Sequence, residues 1–169
     1  NKDFEEISYF LEKNKEKLKF NTDLKLKNTN FKIDNINYKK KDGTNMFLQV
    51  KGELNDNKSI KINSFILNEE NNKISITNLH LNDTNQIKKI DQAKFYYLDT
   101  ENKKNDYIIK KVTKFDYLIN GSTFNANSLI SNLLKSDSKK ENNFFENNLS
   151  INLNLKKVYI DKTYLVKDL

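Results

Sequence analysis

The chain has 169 residues, enough for one domain with a sizeable buried region, and its 36% hydrophobic content is too high and too patterned for a disordered chain. No cysteine is present, which excludes disulfides, thiolate nucleophiles and Cys-bearing metal sites. The net charge is +7 and every one of the 30 basic residues is lysine, so the bidentate base and phosphate contacts that favour arginine are excluded and no nucleic-acid partner is expected.

Residues 3–18 predict an amphipathic helix. Phe4, Ile7, Leu11 and Leu18 mark one face, with Phe10 beside it. Asp3 stands as a cap, and Glu6 follows three residues later, as in a capping box. Residues 20–127 then predict strands. Leu24 and Leu26 alternate, and an interrupted beat follows in Phe31, Ile33, Ile36 and Tyr38. The stretch from Lys39 to Asn45 holds Asp42-Gly43, a turn signal, before Met46, Leu48 and Val50 resume. Gly52 marks a bulge or a strand end.

The interrupted beat returns as Ile60, Ile62, Phe65, Leu67 and as Ile74, Ile76, Leu79, Leu81. Each copy is two alternating pairs with one extra residue between them. A bulge or bend absorbs such a residue and keeps all four side chains on one face. Further strands are expected from Ala93 to Tyr97 and from Tyr107 through Tyr117. There is no proline and glycine occurs at 3 positions, so tight turns fall to Asn and Asp, as in Asn55-Asp56-Asn57 and Glu69-Glu70-Asn71-Asn72. Residues 128–136 predict a short helix through Leu129, Ile130, Leu133 and Leu134, and residues 137–148 a polar loop. Residues 149–169 return to strands, with the beat in Leu153, Leu155, Val158 and Ile160.

About eight to eleven strands in one sheet would span roughly 40–50 Å, and the apolar face must be covered. A helix over residues 3–18 would be about 24 Å long, enough for one strip of that face. Three solutions remain open: a sandwich, a closed barrel, or a curled trough whose apolar floor is filled by a ligand. A trough of Ile, Leu, Phe and Tyr suits acyl chains, each buried CH₂ contributing about 0.8 kcal/mol without directional bonds.

Catalytic chemistry finds no foothold. His80 is the one histidine, and its strand parity turns it away from Leu79 and Leu81. No nucleophile elbow, Walker loop or dinucleotide fingerprint is present. The paired acids Glu5-Glu6 and Glu69-Glu70 fall at a predicted helix start and in a turn, where carboxylates are solvated. No catalytic residue, metal site or cofactor is expected.

The stretch Ile119–Leu134 carries a polar turn with Gly121, then Phe124 and Asn125, then paired leucines; a charged loop and the beat of Leu153, Leu155, Val158 and Ile160 follow. In this order they resemble the AsmA-like superfamily of Gram-negative envelope proteins, the YhdP-like and TamB-type members above all, over residues 119–169. Gly121 matches the family's turn, and Leu129, Leu133 and Leu134 its helix face. The resemblance implies a long curled antiparallel sheet forming an elongated hydrophobic groove, held in the periplasm by an inner-membrane anchor outside this piece, through which phospholipid passes.

Together the expectations are a mainly β groove segment of a longer protein, with helices at 3–18 and 128–136 and no enzymatic activity. Sixteen residues would line the groove for phospholipid acyl chains: Phe31, Ile33, Ile36, Tyr38, Ile60, Ile62, Phe65, Leu67, Ile74, Ile76, Leu79, Leu81, Leu153, Leu155, Val158 and Ile160. The rival expectation is a structural or adhesive β-sandwich domain of a bacterial envelope or surface protein.

Overall fold

The structure is a computed structural model that describes residues 5–128, 130, 145, 147–161 and 164–169. Its strands in chain order are β1 (Glu6–Lys13), β2 (Lys17–Leu26), β3 (Lys32–Ile33), β4 (Tyr38–Lys39), β5 (Met46–Asn55), β6 (Ile60–Glu69), β7 (Asn72–Leu81), β8 (Ile87–Leu98), β9 (Lys104–Lys111), β10 (Asp116–Asn125), β11 (Ser150–Tyr159) and β12 (Leu165–Lys167). Ten of them form one sheet in the order β1-β2-β5-β6-β7-β8-β9-β10-β11-β12, while β3 and β4 form a separate two-stranded ribbon. Every main-sheet pairing is antiparallel except β10 with β11, which is parallel. A parallel pair needs a long connection, and residues 126–149 supply it.

Local chemistry explains the meander. Asn14 Oδ1 accepts the amides of Glu16 and Lys17 at the β1–β2 turn. Asn82 does the same for Thr84 and Gln86 between β7 and β8, and Asp99 for Glu101 and Lys103 between β8 and β9. Left-handed backbone falls on Asn37, Asn78, Asn85 and Asn102 more than on any other residue type, as a chain poor in glycine requires.

The interrupted beat has a shared geometric cause. Against β5, the register of β6 shifts between Lys51 and Gly52, which leaves Asn63 as the extra residue. Across β6 and β7 the pairing stays in step, so β7 takes up its own extra residue, Asn78, in the left-handed conformation. Asn78 Nδ2 donates to Asp91 Oδ2 on β8 at 2.9 Å, where Ile90 and Ala93 are also three apart. A line of kinks thus crosses three strands, and Ile76 and Leu79 both still pack on the core. A second line passes through Ser122 of β10, with β11 pairing on both sides of it in step.

Two glycines sit where strands approach closely. A Cβ on Gly121 would lie 2.4 Å from the Asp106 carbonyl oxygen and 2.6 Å from Tyr107 Cα, both main-chain atoms of β9. A Cβ on Gly52 would lie 2.7 Å from the Phe20 ring. In each case the residue directly opposite is aromatic, Tyr107 across from Gly121 and Phe20 across from Gly52, so the ring fills what the glycine leaves empty. Gly121→Ala must push strands apart and should lower stability by about 1–3 kcal/mol, read as an earlier midpoint in urea unfolding. Gly121 therefore lies inside β10, not at the turn expected for it.

The apolar face is roofed by the chain itself. Residues 27–45 leave the sheet between β2 and β5, and Phe31, Ile33 and Ile36 pack on the core from there. The Tyr97 hydroxyl on β8 donates to the Ile36 carbonyl at 2.7 Å, and the Thr100 amide to the Asn37 carbonyl at 3.0 Å, so this excursion spans several strands. From the other side Ala126, Ile130 and Leu149 pack on the core, and Phe145 bridges to Ile87. Beneath them Leu67 and Ile74 are 0% and 1% exposed.

Several expectations are corrected by this architecture. No helix occupies residues 5–18, which form β1, a turn and the start of β2. The apolar residues there alternate as Ile7, Tyr9, Leu11 and Leu18, Phe20, and pairing satisfies the backbone of β2 on both sides and that of β1 on its inner side. Phe31, Ile33, Ile36 and Tyr38 do not form a main-sheet strand, because Asp34–Ile36 make a 3₁₀ turn and Asn37 turns left-handed after it. The sheet is open and uncurled, with β1 and β12 at its two edges, so no elongated hydrophobic groove is present for phospholipid acyl chains. The reason is that irregular segments, not helices, cover the face. The expected helix 128–136 and loop 137–148 fall almost wholly outside the described residues.

Candidate binding surface

The groove-lining residues divide by what covers them. Leu67, Ile74, Leu155 and Val158 are buried, and so is Tyr38 within the excursion; Phe31, Ile33, Ile36, Phe65, Ile76 and Leu79 are half-buried against the same core. Ile60, Ile62 and Leu81 continue the face on β6 and β7 in the half-buried class. Leu153 and Ile160, at the far end, are exposed. The structure therefore brings most of them together as the domain's own core.

That core is organised by an aromatic ladder. Tyr38 meets Phe31 and Tyr97 edge-on, Phe95 stacks on Tyr107 at 4.7 Å, and Phe124 lies 4.7 Å from Tyr107 on its other side. Burial pushes the phenols of Tyr38, Tyr97 and Tyr107 well above their ordinary value of 10, and the Glu69 carboxylate adds to this at Tyr38. A folded pKa raised above the unfolded one gives stability that is intact below pH 10 and is lost as pH climbs toward the folded values. An ultraviolet phenolate titration should find these three of the 8 tyrosines silent until the chain unfolds at alkaline pH.

Buried polar groups in this interior hold loops in place. Glu69 is 1% exposed although its neighbour Glu70 is exposed, so the expectation of a solvated pair holds for one member only. Its Oε1 accepts from the Lys41 amide and the Thr44 hydroxyl at 2.6 Å, and its Oε2 from the Tyr38 hydroxyl at 2.7 Å and Asn72 at 2.9 Å. The signal lay in parity: Phe65, Leu67 and Glu69 fall on one face. At the other end of the ladder Asn105 and Asn125 both donate to Asp99 Oδ2, which ties the β8–β9 turn to the end of β10.

His80 sits opposite Lys61 on β6 and Lys89 on β8, on the face away from the core. Partial burial, then the charges of Lys89 and Lys61, lower its pKa, so the imidazole is neutral near pH 7. Among the described residues no three His, Cys, Asp or Glu side chains are placed to hold a metal ion.

The ends of the sheet contrast with this interior. Every residue of β1 is exposed. Ile7, Tyr9, Phe10 and Leu11 are 65%, 72%, 60% and 55% exposed. Ile7, Tyr9 and Leu11 share rows with Leu24, Thr22 and Phe20, so they extend the apolar face past the point where the roof stops. Phe10 points to the opposite face with Glu6, Ser8 and Glu12. Among the described residues the outer edge of β1 pairs with nothing. Its acids are held inward: Glu6 pairs with Lys25 at 2.7 Å and Glu12 with Lys19 at 3.5 Å on β2. Just before the strand, Glu5 accepts the amides of Lys27, Asn28 and Thr29 and the Thr29 hydroxyl, and these bonds, the Thr29 pair first, lower its pKa to about 2. Here the expected helix hid the surface, since on a helix Phe10 sits beside Ile7 and Leu11, whereas on a strand they part to opposite faces.

No protein-family model, curated protein or solved structure matches this chain. The AsmA-like resemblance over residues 119–169 rests on its own residues alone.

Proposed function

We propose that this chain is a structural or adhesive β domain of a bacterial envelope or surface protein, acting by binding rather than by catalysis. One observation carries this reading: the interior is closed by the chain's own segments, while β1 displays Ile7, Tyr9, Phe10 and Leu11 on both faces of an unpaired edge. A strand so exposed is a template for pairing with another chain, and the short strands, charges and prolines that blunt such edges are absent from its centre. Apolar and aromatic groups at the middle with charged groups at the ends is the layout of a binding patch.

The reading is tested in cells that make the protein. Ile7→Lys with Leu11→Lys should release it from its envelope or surface assembly, while the purified variant keeps its circular dichroism and melting temperature. A doubly substituted protein that stays in place as firmly as the parent would overturn the proposal.

A further inference from the structure

Resting on that reading, we infer that the partner of β1 is the β1 edge of a second copy of this chain, joined antiparallel about a two-fold axis at Phe10.

The geometry narrows the alternatives. A two-fold axis perpendicular to the sheet keeps the apolar face of both copies on one side, provided that residues of equal parity meet. Two registers near the strand centre satisfy this. One centres on Tyr9 and sets Glu6 directly opposite Glu12 of the other copy, twice over, which like charge disfavours. The other centres on Phe10. It sets Phe10 against its own copy on one face and Tyr9 against Leu11 twice on the other, with Glu12 opposite Ser8 and Lys13 opposite Ile7. No like charges then meet, and the aromatic pair at the axis is the favourable cross-strand kind.

Charge does not oppose the joint. The chain carries +7 overall, which discourages self-association, but Glu6 and Glu12 stand beside Lys25 and Lys19 in exposed ion pairs, so both signs are present along this strip. The patch is thus apolar at its centre and charge-balanced at its rim. The joined sheet would hide on each copy the edge amides and much of four apolar side chains that are 55%, 60%, 65% and 72% exposed.

Sedimentation of the purified chain should show a dimer. Phe10→Lys and Phe10→Glu each put like charges face to face at the axis and should weaken it by about tenfold or more. Phe10 is 60% exposed, so both variants should fold, which circular dichroism checks. Mixed in equal amounts they should dimerise again, because Lys then meets Glu. Leu153→Lys, at the opposite end of the sheet, should change nothing. A parent chain that stays monomeric at every concentration, a dimer indifferent to both Phe10 variants, a mixture that fails to recover, or loss of the dimer in Leu153→Lys would each overturn the two-fold joint. A monomeric parent would leave the cellular test with Ile7 and Leu11 standing, so the two ideas fail separately.

Discussion

Replacing Glu69 by alanine should destabilise the domain by about 3–5 kcal/mol, because it strips a buried acceptor from four donors, two of them on buried residues. Tyr38 and Thr44 are themselves buried, and their hydroxyls both point at this carboxylate. The Lys41 amide and the Asn72 side chain complete the set. Three of these bonds therefore fasten the returning arm of the excursion, Tyr38 to Thr44, onto the end of β6, and the fourth comes from Asn72 at the start of β7. Loss of the anchor should loosen the roof above Leu67 and Ile74 as well. Thermal unfolding should show the change as a melting temperature lower by roughly 10 °C for a chain of this size.

The same group sets an acid limit. Burial alone would raise the Glu69 pKa, but the bonds from Thr44, Asn72, Tyr38 and Lys41 outweigh it, and the net shift is downward from 4.5. A depressed folded pKa contributes stability that is present above the unfolded value and lost as pH falls through the folded one. Stability should thus fall below pH 4.5, and Glu69→Gln should flatten that fall. It should also cost about 1–2 kcal/mol at neutral pH, since its amide faces the donors of Tyr38 and Asn72.

Strand rhythm made much of this fold legible. Ile60 to Leu67 and Ile74 to Leu81 announced β6 and β7 and their kinks, because period-two burial is a local property of one-sided sheets. Asn-rich gaps announced the turns for the same reason. The segment from Phe4 to Leu18 misled because Ile7, Leu11 and Leu18 satisfy a helical stripe while Ile7, Tyr9 and Leu11 satisfy a strand. What decided it was partnership with β2, a non-local fact. The turn at Asn14, inside the supposed helix, was the local sign against it.

The closed roof was less legible, for a different reason. Counting helices suggested too little material to cover the sheet. Residues 27–45 do that work through Phe31, Ile36 and Tyr38, in a small two-stranded ribbon and a 3₁₀ turn whose short beat reads like one more strand of the main sheet. The site followed suit: the exposed character of β1 depends on where the roof ends, and only tertiary structure sets that boundary. Glu69 was half legible, since its parity matched Leu67 while its charge argued for solvent.

Tyr107→Ala should cost about 3–5 kcal/mol, the usual penalty for deleting a packed aromatic ring. The ring lies between Phe95 and Phe124 with both centroids at 4.7 Å, and it stands opposite Gly121, so nothing near it can expand into the void. Tyr107→Phe keeps the stack and loses the hydroxyl contact with Tyr97, and should cost about 1 kcal/mol. Combining Tyr107→Ala with Gly121→Ala separates ring from backbone. If the glycine exists only to make room for the ring, the double variant should regain stability over Tyr107→Ala. The distances argue otherwise, because the added methyl meets the Asp106 carbonyl oxygen at 2.4 Å and Tyr107 Cα at 2.6 Å, and alanine at 107 moves neither. The double variant should therefore be less stable than either single one, and urea unfolding of all four chains closes the cycle.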